Sequence, residues 1–113
     1  MRSDDDGQSW RLISTPVPDT GSGGNPPAMI HLSDGRICLI YGYRDRPSGI
    51  CAVLSGDEGQ TWTEGIVLRN DGGNHDIGYP RAIQRSDGNV VVIYYHNDST
   101  YGERYIAATI WKP

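Results

Sequence analysis

The segment His75-Asp76-Ile77-Gly78-Tyr79-Pro80-Arg81 concentrates the side chains best able to do chemistry in this chain. A guanidinium such as that of Arg81 offers two parallel N–H donors and suits a carboxylate bidentately. Arg81 lies two residues after Tyr79, so in a regular extended strand both side chains face one side of the sheet. A phenol has an unperturbed pKa near ~10 and is a poor nucleophile at neutral pH without an activating partner. His75 and Asp76 flank Tyr79, while Arg44 and Arg46 fall in a hairpin loop elsewhere in the chain. Together these groups suit binding or cleavage of an acidic polar ligand. The plain alternative makes Tyr79 a packing residue beside Pro80 and Arg81 a solvated or structural cation.

A second pattern holds carboxylates for structural work. Ser3-Asp4-Asp5-Asp6-Gly7-Gln8-Ser9-Trp10 returns as Ser55-Gly56-Asp57-Glu58-Gly59-Gln60-Thr61-Trp62. The carboxylate of Asp5 or Asp57 can accept bonds from successive N–H groups of a tight turn. Gly7 or Gly59 relieves a strained backbone position. Ser9 or Thr61 ties the turn's ends, and Trp10 or Trp62 is expected to pack on the sheet. Spacing and glycine position fit a calcium loop poorly, so no metal is expected. Nothing in the sequence calls for a cofactor.

These pairs belong to a repeat that runs through the chain. Asp5 to Asp57 is an offset of 52, and Ser33-Asp34-Gly35 matches Ser86-Asp87-Gly88 at 53. Ile37-Cys38-Leu39-Ile40-Tyr41 matches Val90-Val91-Val92-Ile93-Tyr94 at the same offset. The units span about residues 3–54 and 55–111 of one domain. Each unit predicts four strands. The first follows the Trp (Trp10–Val17 and Trp62–Leu68), and the next is short (Ala28–Leu32 and Arg81–Arg85). Then come apolar, β-branched runs (Arg36–Tyr43 and Asn89–His96) that suggest burial on both faces, and final strands at Gly49–Leu54 and Arg104–Trp111. Four antiparallel strands in a unit of about 50 residues point to a propeller blade.

Composition agrees. Fifteen Gly and seven Pro among 113 residues separate short apolar runs, an all-β signature. The formal charge of −4 carries no run of like charges, which excludes a phosphate-binding surface and hence a nucleic-acid partner. No apolar stretch approaches the ~18 residues of a membrane span, and no secretory leader is visible, so the compartment stays open. Cys38 and Cys51 fall in neighbouring strands but not opposite each other, so two buried thiols are favoured over a disulfide. Asn97-Asp98-Ser99 is a glycosylation sequon.

The two boxes resemble the Asp-box (BNR-repeat) signatures of sialidases. The resemblance implies a six-bladed β-propeller, here its C-terminal portion as two four-stranded antiparallel blades, with the boxes on the rim away from the active site. It also implies that inner strands line a central channel. There Gly78-Tyr79 is similar to the pair that carries a sialidase's nucleophilic Tyr, followed in the same order by Asp87-Gly88 and Val90–Tyr94. On that resemblance Tyr79 is the candidate nucleophile of a retaining glycoside hydrolase, with Arg81, Arg44, His75 and Asp76 as candidate substrate contacts. The resemblance departs at the inner strands, where Arg-Ile-Pro is replaced by Asn25-Pro26-Pro27 and Gly78-Tyr79-Pro80, and no Glu stands near Tyr79. A sialidase-like fold of weak or absent activity in isolation is expected. The competing expectations are a non-catalytic, lectin-like glycan-binding module and a purely structural one. Two blades leave apolar faces open, and the strand order begins at an outer strand, so a homotrimer closing a six-bladed ring is the expected self-association.

Overall fold

The computed structural model describes residues 1–113 and is entirely β, with no helix. Seven strands form: β1 (Ala28–His31), β2 (Ile37–Tyr43), β3 (Ser48–Ser55), β4 (Ile66–Gly72), β5 (Gly78–Gln84), β6 (Val90–His96) and β7 (Tyr105–Trp111). They make two antiparallel sheets in sequence order, β1-β2-β3-β4 and β5-β6-β7.

Local sequence explains the elements. The β-branched runs of β2 and β6 favour extended backbone, where such side chains pack on a pleated surface. Ser33–Gly35 and Ser86–Gly88 close the β1–β2 and β5–β6 hairpins, with Gly35 and Gly88 at positive φ. The Asp34 and Asp87 carboxylates accept the Arg36 and Asn89 amides at 3.1 and 3.0 Å.

One sheet has four strands as expected, but the other has three. The residues from Trp10 to Val17 form no strand; only an isolated bridge joins Arg2 to Arg11. Their repeat counterpart, the segment after Trp62, becomes β4 because β3 lies beside it and completes its hydrogen bonds. Residues 10–17 have no such ladder partner. Ser14 docks instead on the second Asp box, where its Oγ donates to Gly59 O at 2.5 Å and accepts from Trp62 Nε1 at 3.0 Å.

The core lies between the sheets. Cys38, Ile40, Ile50 and Ala52 of the first sheet pack with Val90, Val92 and Tyr94 of the second, all buried. β2 is buried on both faces as its composition suggests, whereas β6 turns Ile93 to the exterior. The thiols are free; Cys38 faces Leu54 and Cys51 faces Tyr41 in the ladder, so neither opposes the other.

The strand order sets two ends. The Ser-Asp-Gly turns and the second Asp box lie at one end, and loops 44–47, 73–77 and 97–104 lie at the other.

Candidate functional site

At the end bearing these longer loops, a cleft of about 600 Å³ opens between the two sheets, lined by polar side chains alone. Arg44, Arg46, His75, Asp76, Asn74 and Arg104 form most of its wall. A wall built only of polar groups is dressed for a polar ligand.

Arg44, Arg104 and Asp76 are fixed by one another and by backbone. Arg44 donates through Nε and Nη2 to Ile77 O at 3.1 and 3.0 Å, and through Nη1 to Gly23 O at 2.9 Å. Its Nη2 also reaches Tyr95 Oη at 3.3 Å. Most of its donors are therefore spent on the fold, and Arg44 holds loop 73–77 against loop 21–24. Asp76 accepts from Tyr95 Oη at 2.6 Å and from Arg104 Nε at 2.7 Å. These two bonds, that of Tyr95 first, hold its carboxyl below the usual range. Burial, reinforced by the bond to Asp76, pushes the Tyr95 phenol up to about 12.

Tyr79 stands at the edge of this network in an unusual conformation. Its φ is +51°, in the left-handed region that non-glycine residues rarely occupy. It follows Gly78, at φ +117°, where β5 bulges: Gly78 pairs with Tyr95 and Arg81 with Ile93, leaving two residues opposite Tyr94. Asn25 locks the bulge. Its Oδ1 accepts the Tyr79 amide at 3.2 Å, and its Nδ2 donates to Gly42 O at 3.1 Å across the sheets. Gly78 and Gly42 are required here, since a Cβ on either would run into the Asn25 amide. The Tyr79 ring stays half exposed, packed on Tyr95 at 5.6 Å between centroids, with the Arg44 guanidinium 5.6 Å from its centre.

Of the residues singled out in the sequence, Arg44, His75 and Asp76 meet in the cleft, and Tyr79 touches that cluster through Tyr95 and Arg44. Arg81 pairs with Ile93 on the outward side of the second sheet, and its Nη1 donates to Pro80 O at 3.1 Å. The bulge thus carries Tyr79 and Arg81 through irregular backbone where a regular strand was expected. Asn25, Tyr95 and Arg104 were not picked out. Tyr95 sits in an apolar run and Arg104 at a strand start, so neither has a sequence signal; the Gly78-Tyr79 pair was the only hint of the bulge.

The Asp boxes do a different job at the opposite end. In both, the serine (Ser3 or Ser55) accepts the glycine amide at 2.8 Å and donates to the aspartate at 2.8 Å. Asp5 then binds the Ser9 amide and hydroxyl at 2.9 and 2.6 Å, and Asp57 those of Thr61 at 2.8 and 2.5 Å. These bonds, the hydroxyl donor foremost, hold both carboxyls down to about 2. Trp62 is half-buried, but Trp10 is exposed, its Nε1 donating to Gly7 O at 3.1 Å, so the expected packing holds for one box alone. The boxes are adjacent, joined by an Arg2–Glu58 ion pair at 2.7 Å. The sequon's Asn97 is fully buried and donates to Asp76 O at 2.9 Å, so its amide serves the cleft wall.

Two β-sheets stacked face to face, each box-bearing turn at the end opposite a polar cleft, define an all-β repeat protein. The BNR repeat-like domain family matches residues 1–92, and the chain belongs to that family. A search of curated proteins gives no match. A crystal structure of a protein of unknown function from Dyadobacter fermentans DSM 18053 is 41% identical to the chain, with a TM-score of 0.69. The match covers 80% of this chain and 25% of that one, so the chain spans about a quarter of its relative's length.

Proposed function

We propose that the chain supplies the loop end of a sialidase-type BNR propeller that binds a carboxylated sugar, of the sialic-acid kind, without cleaving it. The observation that carries this reading is Tyr79: a half-exposed ring, held in a left-handed conformation by Asn25, beside a cleft rich in arginine. Backbone strain of this kind costs roughly 1–3 kcal/mol and persists only where surrounding contacts impose it, which they do most often at ligand sites. An exposed aromatic face packs on the apolar face of a sugar ring, and nearby guanidinium groups suit its carboxylate. Arg46 and His75 line the cleft where that carboxylate would lie, beside Arg104, whose Nε is held by Asp76 and whose Nη1 is held by Gly102 O.

Binding is favoured over hydrolysis by the state of the cleft's carboxylate. A phenolic nucleophile needs a base to take its proton. Asp76 is the acidic group nearest Tyr79 in sequence, and both its oxygens are already engaged by Tyr95 and Arg104. The test pairs isothermal titration of the chain with free sialic acid and release of dye from a fluorogenic sialoside. Affinity is expected on the order of 1 mM, about −4 kcal/mol, falling at least tenfold in Tyr79→Ala. Dye release should stay at the buffer rate. Unchanged affinity in Tyr79→Ala would overturn the site, and release abolished by Tyr79→Phe would replace binding with catalysis.

A further inference from the structure

Behind the cleft wall lies a cluster of titratable side chains that the proposed sugar site does not use. His96, the last residue of β6, is 0% exposed. Asp71 of β4 stands 3.7 Å from its Nε2. On the other side of the ring, Asp98 stands 3.8 Å and Tyr105 Oη of β7 3.5 Å from Nδ1. Arg69 of β4 joins the two sides, bonding Asp71 through Nε at 2.5 Å and reaching Tyr105 Oη and Asp98 through Nη2 at 3.1 and 3.5 Å. The Tyr94 ring meets the imidazole edge-on, 5.9 Å between centroids.

A neutral imidazole cannot serve both sides, since it has one N–H and one lone pair. Tyr105 Oη gives its hydrogen to Asp98, so both ring nitrogens look onto oxygen acceptors, and Nε2 has no hydrogen-bond partner. Whichever nitrogen carries the hydrogen, the other meets a lone pair. Only the imidazolium has a donor for each. A metal ion does not suit the place, because the Arg69 guanidinium already engages both carboxylates. Burial, then the Arg69 charge, holds the ring's pKa below its ordinary value against the pull of Asp71 and Asp98. The socket therefore keeps neutral a ring whose neighbours suit the charged form.

The cluster lies one residue from the fastening of the cleft wall. Asn97 O accepts the Gly73 amide at 3.0 Å, and Asn97 Oδ1 the Asn74 amide at 3.1 Å. Loop 73–77 also packs on Ser99 without slack, since a Cβ on Gly73 would lie 2.2 Å from the Ser99 backbone. That loop carries Asn74, His75 and Asp76 of the cleft. Charge-assisted bonds run at about 2.7–2.9 Å, so an imidazolium would draw each carboxylate in by about 1 Å. Asp98 cannot make that move without disturbing Asn97. We propose that His96 is a proton-operated latch: uptake of one proton by its ring frees residues 97–104 from loop 73–77 and lowers the cleft's affinity for its ligand. The ligand half of this inference rests on the sugar-binding reading above; the latch itself does not.

In the opened state the ring regains its ordinary pKa near ~6.5, so one proton favours opening by at most about tenfold at pH 5.5 over pH 7.5. Hydrogen exchange of the Gly73 and Asn74 amides, corrected for intrinsic rates, reads this opening without any ligand. Their opening constant should exceed that of the β2 amides and rise several-fold across that range. It should lose the pH dependence in His96→Gln. Asp71→Asn alters an exposed side chain and should move the midpoint of the His96 ring resonances to lower pH. Exchange that ignores pH in the wild type, or that matches β2 and so reports only global unfolding, would overturn the latch, as would an unmoved midpoint in Asp71→Asn. Calorimetric titration with sialic acid at both pH values reads the coupling. The affinity ratio, pH 5.5 over 7.5, should be about twofold to tenfold lower in wild type than in His96→Gln, a comparison that cancels the charge gained by His75. Equal ratios would refute the coupling. Absence of binding at either pH would overturn the sugar reading and with it the ligand half, while the exchange result decides the latch.

Discussion

Replacing Asn25 with Ala removes a side chain that ties the two sheets at the bulge. Two hydrogen bonds disappear, from the Tyr79 amide at 3.2 Å and to Gly42 O at 3.1 Å. Each is worth about 0.5–1.5 kcal/mol net, so the loss is about 1–3 kcal/mol. In a domain of this size about 1 kcal/mol moves Tm by roughly 4–8 °C, so a drop on the order of 10 °C is expected. The same change frees Tyr79 to leave φ +51°, so the chain that loses stability also loses the presentation of its ring. Asn25→Asp keeps the acceptor for the Tyr79 amide but not the donor to Gly42 O, and should fall between wild type and Asn25→Ala. Differential scanning calorimetry at fixed protein concentration gives the stability, and the Tyr79 ring resonances give the conformation. An Asn25→Ala chain with native Tm and native Tyr79 shifts would refute the view that Asn25 imposes the strain.

Three further outcomes follow from other parts of the molecule. Arg44→Ala should lower stability by about 2–3 kcal/mol in urea unfolding, because its charged donors bridge Ile77 O and Gly23 O; a change under about 0.5 kcal/mol would return Arg44 to the role of a free substrate clamp. The Asp57 carboxyl is held at about 2, below its unfolded value near ~3.9, so the box stabilises the fold above pH ~4 and loses that contribution as pH falls towards 2. Acid unfolding followed by circular dichroism should be shallower through that window in Asp57→Asn than in wild type. His96 is fully buried, and burial followed by the Arg69 charge lowers its pKa, against the opposing pull of Asp71 and Asp98. The unfolded chain then binds the extra proton first, so stability falls as pH drops below ~6.5, and His96→Gln should flatten Tm between pH 7.5 and 5.5.

Much of the fold could be read from patterns that are local. β2, β3, β6 and β7 begin and end within one residue of their expected bounds, because β-branched runs between glycine turns settle them without help from the rest of the chain. The strand expected at Trp10–Val17 shows the limit. Its box folds with the same bonds as the second, yet extended backbone becomes a strand only beside a partner, and pairing is a tertiary property. The site was harder. Residue types marked His75, Asp76, Tyr79 and Arg44 as a group, but alternation placed Tyr79 and Arg81 on a regular strand, and the bulge at Gly78 breaks that rule. Arg44 carries the charge for a substrate, and only its position reveals that carbonyl oxygens already take its donors. Tyr95 and Arg104 could not be singled out, since both act through a carboxylate that lies across a loop.

The proposal of a sugar site at the loop end is tested most directly by titrating isotope-labelled chain with sialic acid and following its backbone amide resonances. Shifts are predicted in residues 22–25, 44–48, 73–81 and 97–104, with the two Asp boxes silent. A spectrum that stays unchanged at saturating sugar, or one whose shifts centre on the boxes, would contradict it.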